Sequence, residues 1–287
     1  MEYSNPELPE GINTSKEHPL REFVILSVGL LVTVFIVISL LIVAVDNFAD
    51  KIPFEYEKKL PVSSFIENLE VEKLPPYLDK VTQKVLASYD LPEEMKITFH
   101  YVNDDTVNAF ATLGGHIVLY RGLLEKLKYE DELAMVVAHE IAHIKHRHPI
   151  LSVSHGVVVS VVLTAISGSS GNSIVNDFIG QTGMASLMRF SRDYEYQSDK
   201  DAINSLIKIY GHADGALGLF EVFNSEFGQD KSFEFLATHP LTENRISQTT
   251  KMIGDHNLSS KATKTALPVK FKDWLVVEKK SAEKSDG

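Results

Sequence analysis

The sequence predicts an α+β protein that is mostly helical, with a small sheet of about three strands and one N-terminal transmembrane helix. Three observations carry that prediction. Residues 23–45 form an unbroken apolar run without a charge, long enough at about 1.5 Å per residue to cross a ~30 Å hydrocarbon core. Short alternating segments between residues 96 and 120 surround a Gly-Gly pair, the pattern of paired strands. From residue 121 to 253 most apolar residues recur with helical spacing.

Residues 1–22 read as a polar N-terminal arm rich in Glu and Pro. That flank, and the length of the apolar run, favour a retained anchor over a cleaved signal peptide, whose apolar region is about 7–15 residues. Lys16 and Arg21 precede the run, and Lys51, Lys58 and Lys59 follow it. The comparison is nearly balanced; Arg21 is the cation nearest either end and tips it towards a cytoplasmic N-terminus and an extracytoplasmic (periplasmic) main domain at the cell membrane. The partner implied by residues 23–45 is the lipid bilayer. Residues 46–62 form a juxtamembrane connector broken by Pro53 and Pro61. The main domain spans 63–258, and 259–287 is a C-terminal tail.

Within the domain, 75–88 is helical, with Leu78, Val81, Val85 and Leu86 on one side. Residues 96–102 alternate as a strand, and Asn103-Asp104-Asp105 signals a turn. Two short strands follow, 108–112 and 116–120, then a short helix over 121–128 and a longer one over 129–148. Asp131 in the first turn of the longer helix and Lys145 and Arg147 in its last suit the helix dipole; Pro149 marks its end. The apolar segment 150–167 is shorter than about 20 residues and runs into Gly-Ser-Ser-Gly, which predicts a core or cleft-lining helix rather than a second span. Further helices are predicted over 173–190, 193–208, 211–226 and 241–253. The tail is predicted to dock through 271–274 and to be disordered over 276–287.

The composition narrows the chemistry. A formal charge of −11 argues against a nucleic-acid partner, which calls for a basic face. With no cysteine, any zinc must be held by histidine and carboxylate. His139-Glu140-Ile141-Ala142-His143 supplies such a set. Residues four apart share a helix face, so His139 and His143 can bind one ion together, while Glu140, rotated by about 100°, can hold a metal-bound water. A longer single-segment pattern would need Gly at position 146 and His at 149, but these are His146 and Pro149. His146 lies about 10.5 Å along the helix axis from His139 and cannot share its ion. The better third ligand is Glu195, paired i, i+4 with Asp199. One carboxylate can bind the metal while the other accepts the free N–H of a ligating histidine.

These residues together resemble metallopeptidase family forty-eight, gluzincins of the HtpX and CAAX prenyl endopeptidase type. Two further passages are similar: Asn108-Ala109-Phe110-Ala111 through Gly114-Gly115-His116, and Thr238-His239-Pro240 with Arg245-Ile246. The resemblance covers about residues 65–255. It implies a zincin-like catalytic domain with one Zn2+ per chain, bound by His139, His143 and Glu195. Glu140 would be the general base, Asp199 would orient a ligand histidine, and Arg245 would anchor a loop through a carboxylate. His239 would stabilise the oxyanion or act as a reversible fourth ligand that closes the site. Asn108, Ala109, Phe110, Gly114 and Gly115 would belong to an edge strand that binds substrate. Ser198 stands where the family commonly has Ala. The implied activity is that of a membrane-anchored metalloendopeptidase acting on unfolded or extended protein segments, in membrane or envelope quality control. Two other classes stay open: a zinc-stabilised chaperone or interaction module with secondary proteolysis, and a hydrolase of non-peptide substrates.

Overall fold

A computed structural model of the chain describes residues 18–48, 51–59, 66, 68–167, 190–227, 235, 238–256 and 264–285. The helix predicted over 173–190 lies outside these except for Phe190, as do most of the arm 1–22 and parts of the tail. The apolar run forms helix α1, Pro19–Phe48, in which no residue is buried. After it, one stretch of 3-10 helix, Phe54–Lys59, leads to α2, Pro76–Leu86. The sheet consists of β1, Thr98–Val102, β2, Ala109–Thr112, and β3, His116–Tyr120. Then come α3, Arg121–Lys126, α4, Glu130–Lys145, and α5, His148–Ser167. The chain continues with α6, Arg192–Tyr210, α7, Asp214–Phe227, α8, Glu243–Asp255, and α9, Val269–Ser285.

The strand order is β1-β3-β2. The central strand β3 runs parallel to β1, with Thr98 opposite His116, and antiparallel to β2, with Ala109 opposite Leu119. Of the passage 108–120, therefore, only β2 offers an edge. Gly114 and Gly115 turn the chain between β2 and β3 with φ of 75° and 86°. A Cβ on Gly115 would lie 2.3 Å from the Lys96 carbonyl oxygen, so both conformation and space demand glycine there.

Helix α4 is the axis of the domain. It packs against α2, α6, α7 and β2, and every residue from Asp131 to Ile144 is buried. A helix apolar all round belongs in a core, and here the core encloses its histidines as well. Glu132 starts it by accepting the backbone N–H groups of Lys128 (2.8 Å) and Tyr129 (3.1 Å). The helix ends at Lys145, before the predicted stop. Arg147 turns the chain in the left-handed region, φ 58°, and Pro149 sits in the first turn of α5, where its missing N–H costs no helical bond.

That turn is tied to the segment that follows α1. Arg147 donates from Nε and Nη2 to Glu57 Oε1 at 2.8 and 2.5 Å, and from Nη1 to the Ile52 carbonyl. Glu57 Oε2 accepts the Gly114 backbone N–H at 3.4 Å. One buried carboxylate thus joins the segment after α1, the end of the histidine helix and the β2–β3 turn. Glu57→Ala is expected to destabilise the detergent-solubilised chain by about 1.5–3 kcal/mol, the worth of hydrogen bonds to charged groups. The urea midpoint reads this; an unchanged midpoint would show that the connector contributes nothing to the domain.

Two expectations are corrected. Helix α5 is not a core helix: Val161, Leu163 and Ile166 are about half exposed, and the helix packs along α1, with His155 Nε2 2.6 Å from Asp46 Oδ1. Beyond Ile150 and Val153, which join an apolar cluster with Phe110 and Val118, its apolar residues lie along another apolar helix, and both helices are long and apolar enough to cross a membrane. Residues 276–285, predicted as disordered, continue α9. Phe271 and Leu275 bury one side of that helix, and Trp274 packs on Tyr101 with ring centroids 5.1 Å apart. Docking of this stripe carries the helix into the polar residues beyond it.

Candidate metal centre

Two helices deliver the candidate ligands. In α4, positions 139 and 143 fall on one face, turned towards α6, its most extensive neighbour. Ser191 caps α6 by accepting the Tyr194 N–H at 3.3 Å, so Glu195 lies in its first turn with Asp199 one turn on.

The nitrogen and oxygen atoms of these residues converge. His139 Nε2 and His143 Nε2 are 3.0 Å apart. Glu195 Oε2 lies 3.5 Å from His139 Nε2, and its Oε1 lies 3.5 Å from His143 Nε2. His239, on the segment before α8, places Nδ1 3.0 Å from Glu195 Oε1 and 3.3 Å from His139 Nε2. One ligand atom from each of the four residues falls within a 4.8 Å cluster, and all four side chains are buried. Lone pairs crowded this way, away from water, are stable when a cation shares them. Histidine nitrogens and a carboxylate oxygen, without sulfur, make a donor set that suits zinc.

Beside the cluster, both Glu140 carboxylate oxygens and His239 Nε2 are buried with no hydrogen-bond partner among the described residues. Glu140 Oε1 and His239 Nε2 face each other at 3.6 Å. Burial pushes the Glu140 carboxyl up. The residues thus fit a bound metal with buried polar atoms, those of Glu140 and His239, next to it.

The surrounding charges are arranged around Arg245. It donates from Nε and Nη2 to both oxygens of Asp199, at 2.6 and 2.8 Å. Its Nη1 lies 2.6 Å from Glu195 Oε2 and reaches the His239 carbonyl at 3.4 Å. Burial is the largest influence and would raise Glu195 and Asp199, but Arg245 together with His139, and for Glu195 also His239, holds both below the usual carboxylate range. His139 Nδ1 lies 3.0 Å from Asp199 Oδ1, a charge contact rather than an aligned hydrogen bond. Burial disfavours charge on His139, yet Glu195 and Asp199 carry its pKa up to about 9. The carboxylates thus favour positive charge on His139, whereas burial holds His143 well below the usual imidazole range.

The remaining predicted residues divide. Ala109 and Phe110 lie on β2, which packs against α4, with Asn108 just before it. Phe110 is packed with Val118 and Ile150 in a separate apolar cluster. Gly114 and Gly115 lie elsewhere: a Cβ on Gly114 would meet His116 and Lys58, and one on Gly115 would meet Lys96 and Phe54. His146, excluded as a ligand by spacing, is 2.9 Å from Asp201. Two residues escaped the sequence reading. His148 Nδ1 lies 3.0 Å from His143 Nδ1, and the Phe190 ring stacks on His143 at 3.9 Å. Helical spacing could not find His148, because the chain leaves the helix at Arg147.

Comparison with known proteins agrees with this geometry. Residues 72–253, more than half of the chain, match the model of Peptidase family M48. The chain is 30% identical over 172 residues to the mitochondrial metalloendopeptidase OMA1 of Schizosaccharomyces pombe, covering 59% of this chain and 50% of that protein. It is 30% identical over 184 residues to a putative beta-barrel assembly-enhancing protease of Vibrio cholerae, covering 61% and 38%. With the OMA1 of Saccharomyces cerevisiae it shares 24% identity over 204 residues, covering 69% and 57%. The chain therefore spans half or less of the first two of these relatives.

Proposed function

Because the chain belongs to peptidase family M48, we propose that it is a membrane-anchored zinc metalloendopeptidase that cleaves unfolded or extended segments of proteins, in membrane or envelope quality control. The observation that carries this reading is the buried convergence of His139, His143 and Glu195 beside the buried Glu140 carboxyl. Relatives named as metalloendopeptidase and protease support it.

His139, His143 and Glu195 would hold the zinc, whose chemistry in such a site is to acidify water towards a pKa of ~7 and to polarise a carbonyl. Glu140 accepts the proton of the attacking water and delivers it to the departing amine, acting first as base and then as acid. Its raised carboxyl suits both roles. Asp199 and Arg245 hold the far sides of His139 and Glu195 in place. The β2 edge can pair with an extended backbone, and such pairing discriminates little between side chains, which favours unfolded substrates.

His239 lies where a fourth ligand would, although a catalytic zinc needs an open position. Its segment also touches the start of the edge strand, since the Phe235 N–H donates to the Val107 carbonyl at 3.3 Å and the His239 N–H to the Phe235 carbonyl at 2.7 Å. We read His239 as a reversible fourth ligand that closes the site, so that its release would free the metal and, through Phe235, the residues before the strand edge. His239→Ala is expected to raise cleavage roughly 3–10-fold by removing that competing state. A fall of about 100-fold would assign His239 to the oxyanion instead.

Helix α1 anchors the domain, and α5, packed along it, lies in the same apolar layer, with the domain on the extracytoplasmic side of the cell membrane. The function is tested by incubating the detergent-solubilised full chain and zinc with casein. Cleavage that a chelator stops and zinc restores is expected; intact casein would sink the protease reading.

A further inference from the structure

We propose that His148 is a positioning residue for the metal ligand His143, fixing its tautomer and ring plane from the side opposite the metal. This rests on the reading of His139, His143 and Glu195 as ligands. His143 Nε2 faces His139 and Glu195. Its other nitrogen, Nδ1, lies 3.0 Å from His148 Nδ1. A ligand nitrogen must offer a lone pair, so the proton of neutral His143 sits on Nδ1 and is donated to His148. His148 must then accept at Nδ1 and carry its own proton on Nε2. That nitrogen is 3.0 Å from Gln197 Oε1, an oxygen that can only accept. The carbonyl at the end of this series therefore selects both tautomers and leaves His143 Nε2 free for the metal.

Stacking fixes the ring planes. Tyr194 lies parallel to His148, with centroids 4.2 Å apart and planes 10° apart, and Phe190 covers His143 at 22°. His148 is 1% exposed, so its nitrogens are largely shielded from water. The backbone has to break its helix for this to happen. In a continued α4, position 148 would be rotated about 140° from position 143. The left-handed turn at Arg147 brings it back. Ser198 Oγ lies 3.4 Å from the same His148 nitrogen, a weaker second donor at the position where the resembled family commonly has Ala. The two ligand histidines thus have unlike supports: His139 meets a carboxylate and His143 a neutral imidazole.

The test uses the full chain in detergent, stripped of metal and titrated with zinc against a fluorescent chelator, with far-UV circular dichroism as the check on folding. His148→Ala is expected to bind zinc about 10–100-fold more weakly with unchanged dichroism. His148→Gln, which keeps an acceptor, should recover much of that loss. In the cobalt(II)-substituted chain, His148→Ala should also shift the visible absorption bands. A folded His148→Ala chain with zinc affinity within about twofold of the parent overturns the proposal. Should that variant not fold, Gln197→Leu decides: weaker zinc binding supports the proposal and unchanged binding overturns it. A parent chain that takes up no zinc would overturn the metal reading and this role with it. Tight zinc binding without casein cleavage would remove the protease reading alone.

Discussion

Replacing Glu140 by Gln is expected to slow cleavage of an unfolded protein by about 10²–10⁴-fold, the usual share of a general base, while one zinc per chain stays bound. The side chain reaches no ligand atom, and the backbone group it faces, that of Ala111, can be met by an amide oxygen as well, so the isosteric amide disturbs nothing that holds the metal. What it loses is the capacity to take a proton from water. Zinc content and cleavage rate, measured on the same preparation, separate these effects. Loss of zinc in Glu140→Gln would place Glu140 among the ligands, and an undiminished rate would deny it the base role. A cell in which Glu140→Gln fully replaces the parent would point to the chaperone class instead.

The second large effect is expected at Arg245. It is the cation that faces both Asp199 and Glu195 in a buried setting. Arg245→Ala leaves two carboxylates without it, and breaking such buried pairs costs about 3–5 kcal/mol. Zinc should return part of that loss, because a cation on Glu195 replaces some of the missing charge, and ligand bound only to the folded state adds stability by mass action. Urea unfolding with and without zinc measures both terms. A loss below about 1 kcal/mol in the zinc-free chain would show the three charges to be weakly coupled.

What could be read from the residues was mostly local. His139, Glu140 and His143 lie within about one helical turn, and Glu195 and Asp199 one turn apart, so spacing alone put each group on its face. The convergence of the two groups and of His239 needed the tertiary fold. So did the roles of Glu57 and His148, which depend on a left-handed Arg147 that no periodicity reveals. Helix α5 was misjudged because hydropathy reports that a face is apolar and not what covers it; here the cover is α1. Gly114 and Gly115 were recognised as a reversal, but the side they face is set by the connector, more than fifty residues earlier.

Titrating zinc into the metal-stripped full chain, with cleavage followed in parallel, tests the catalytic metal centre most directly. Bound zinc and cleavage rate should rise together and both saturate at about one zinc per chain, as a three-ligand catalytic site requires. Full cleavage before any zinc is added, or saturation with zinc and no cleavage, would contradict it.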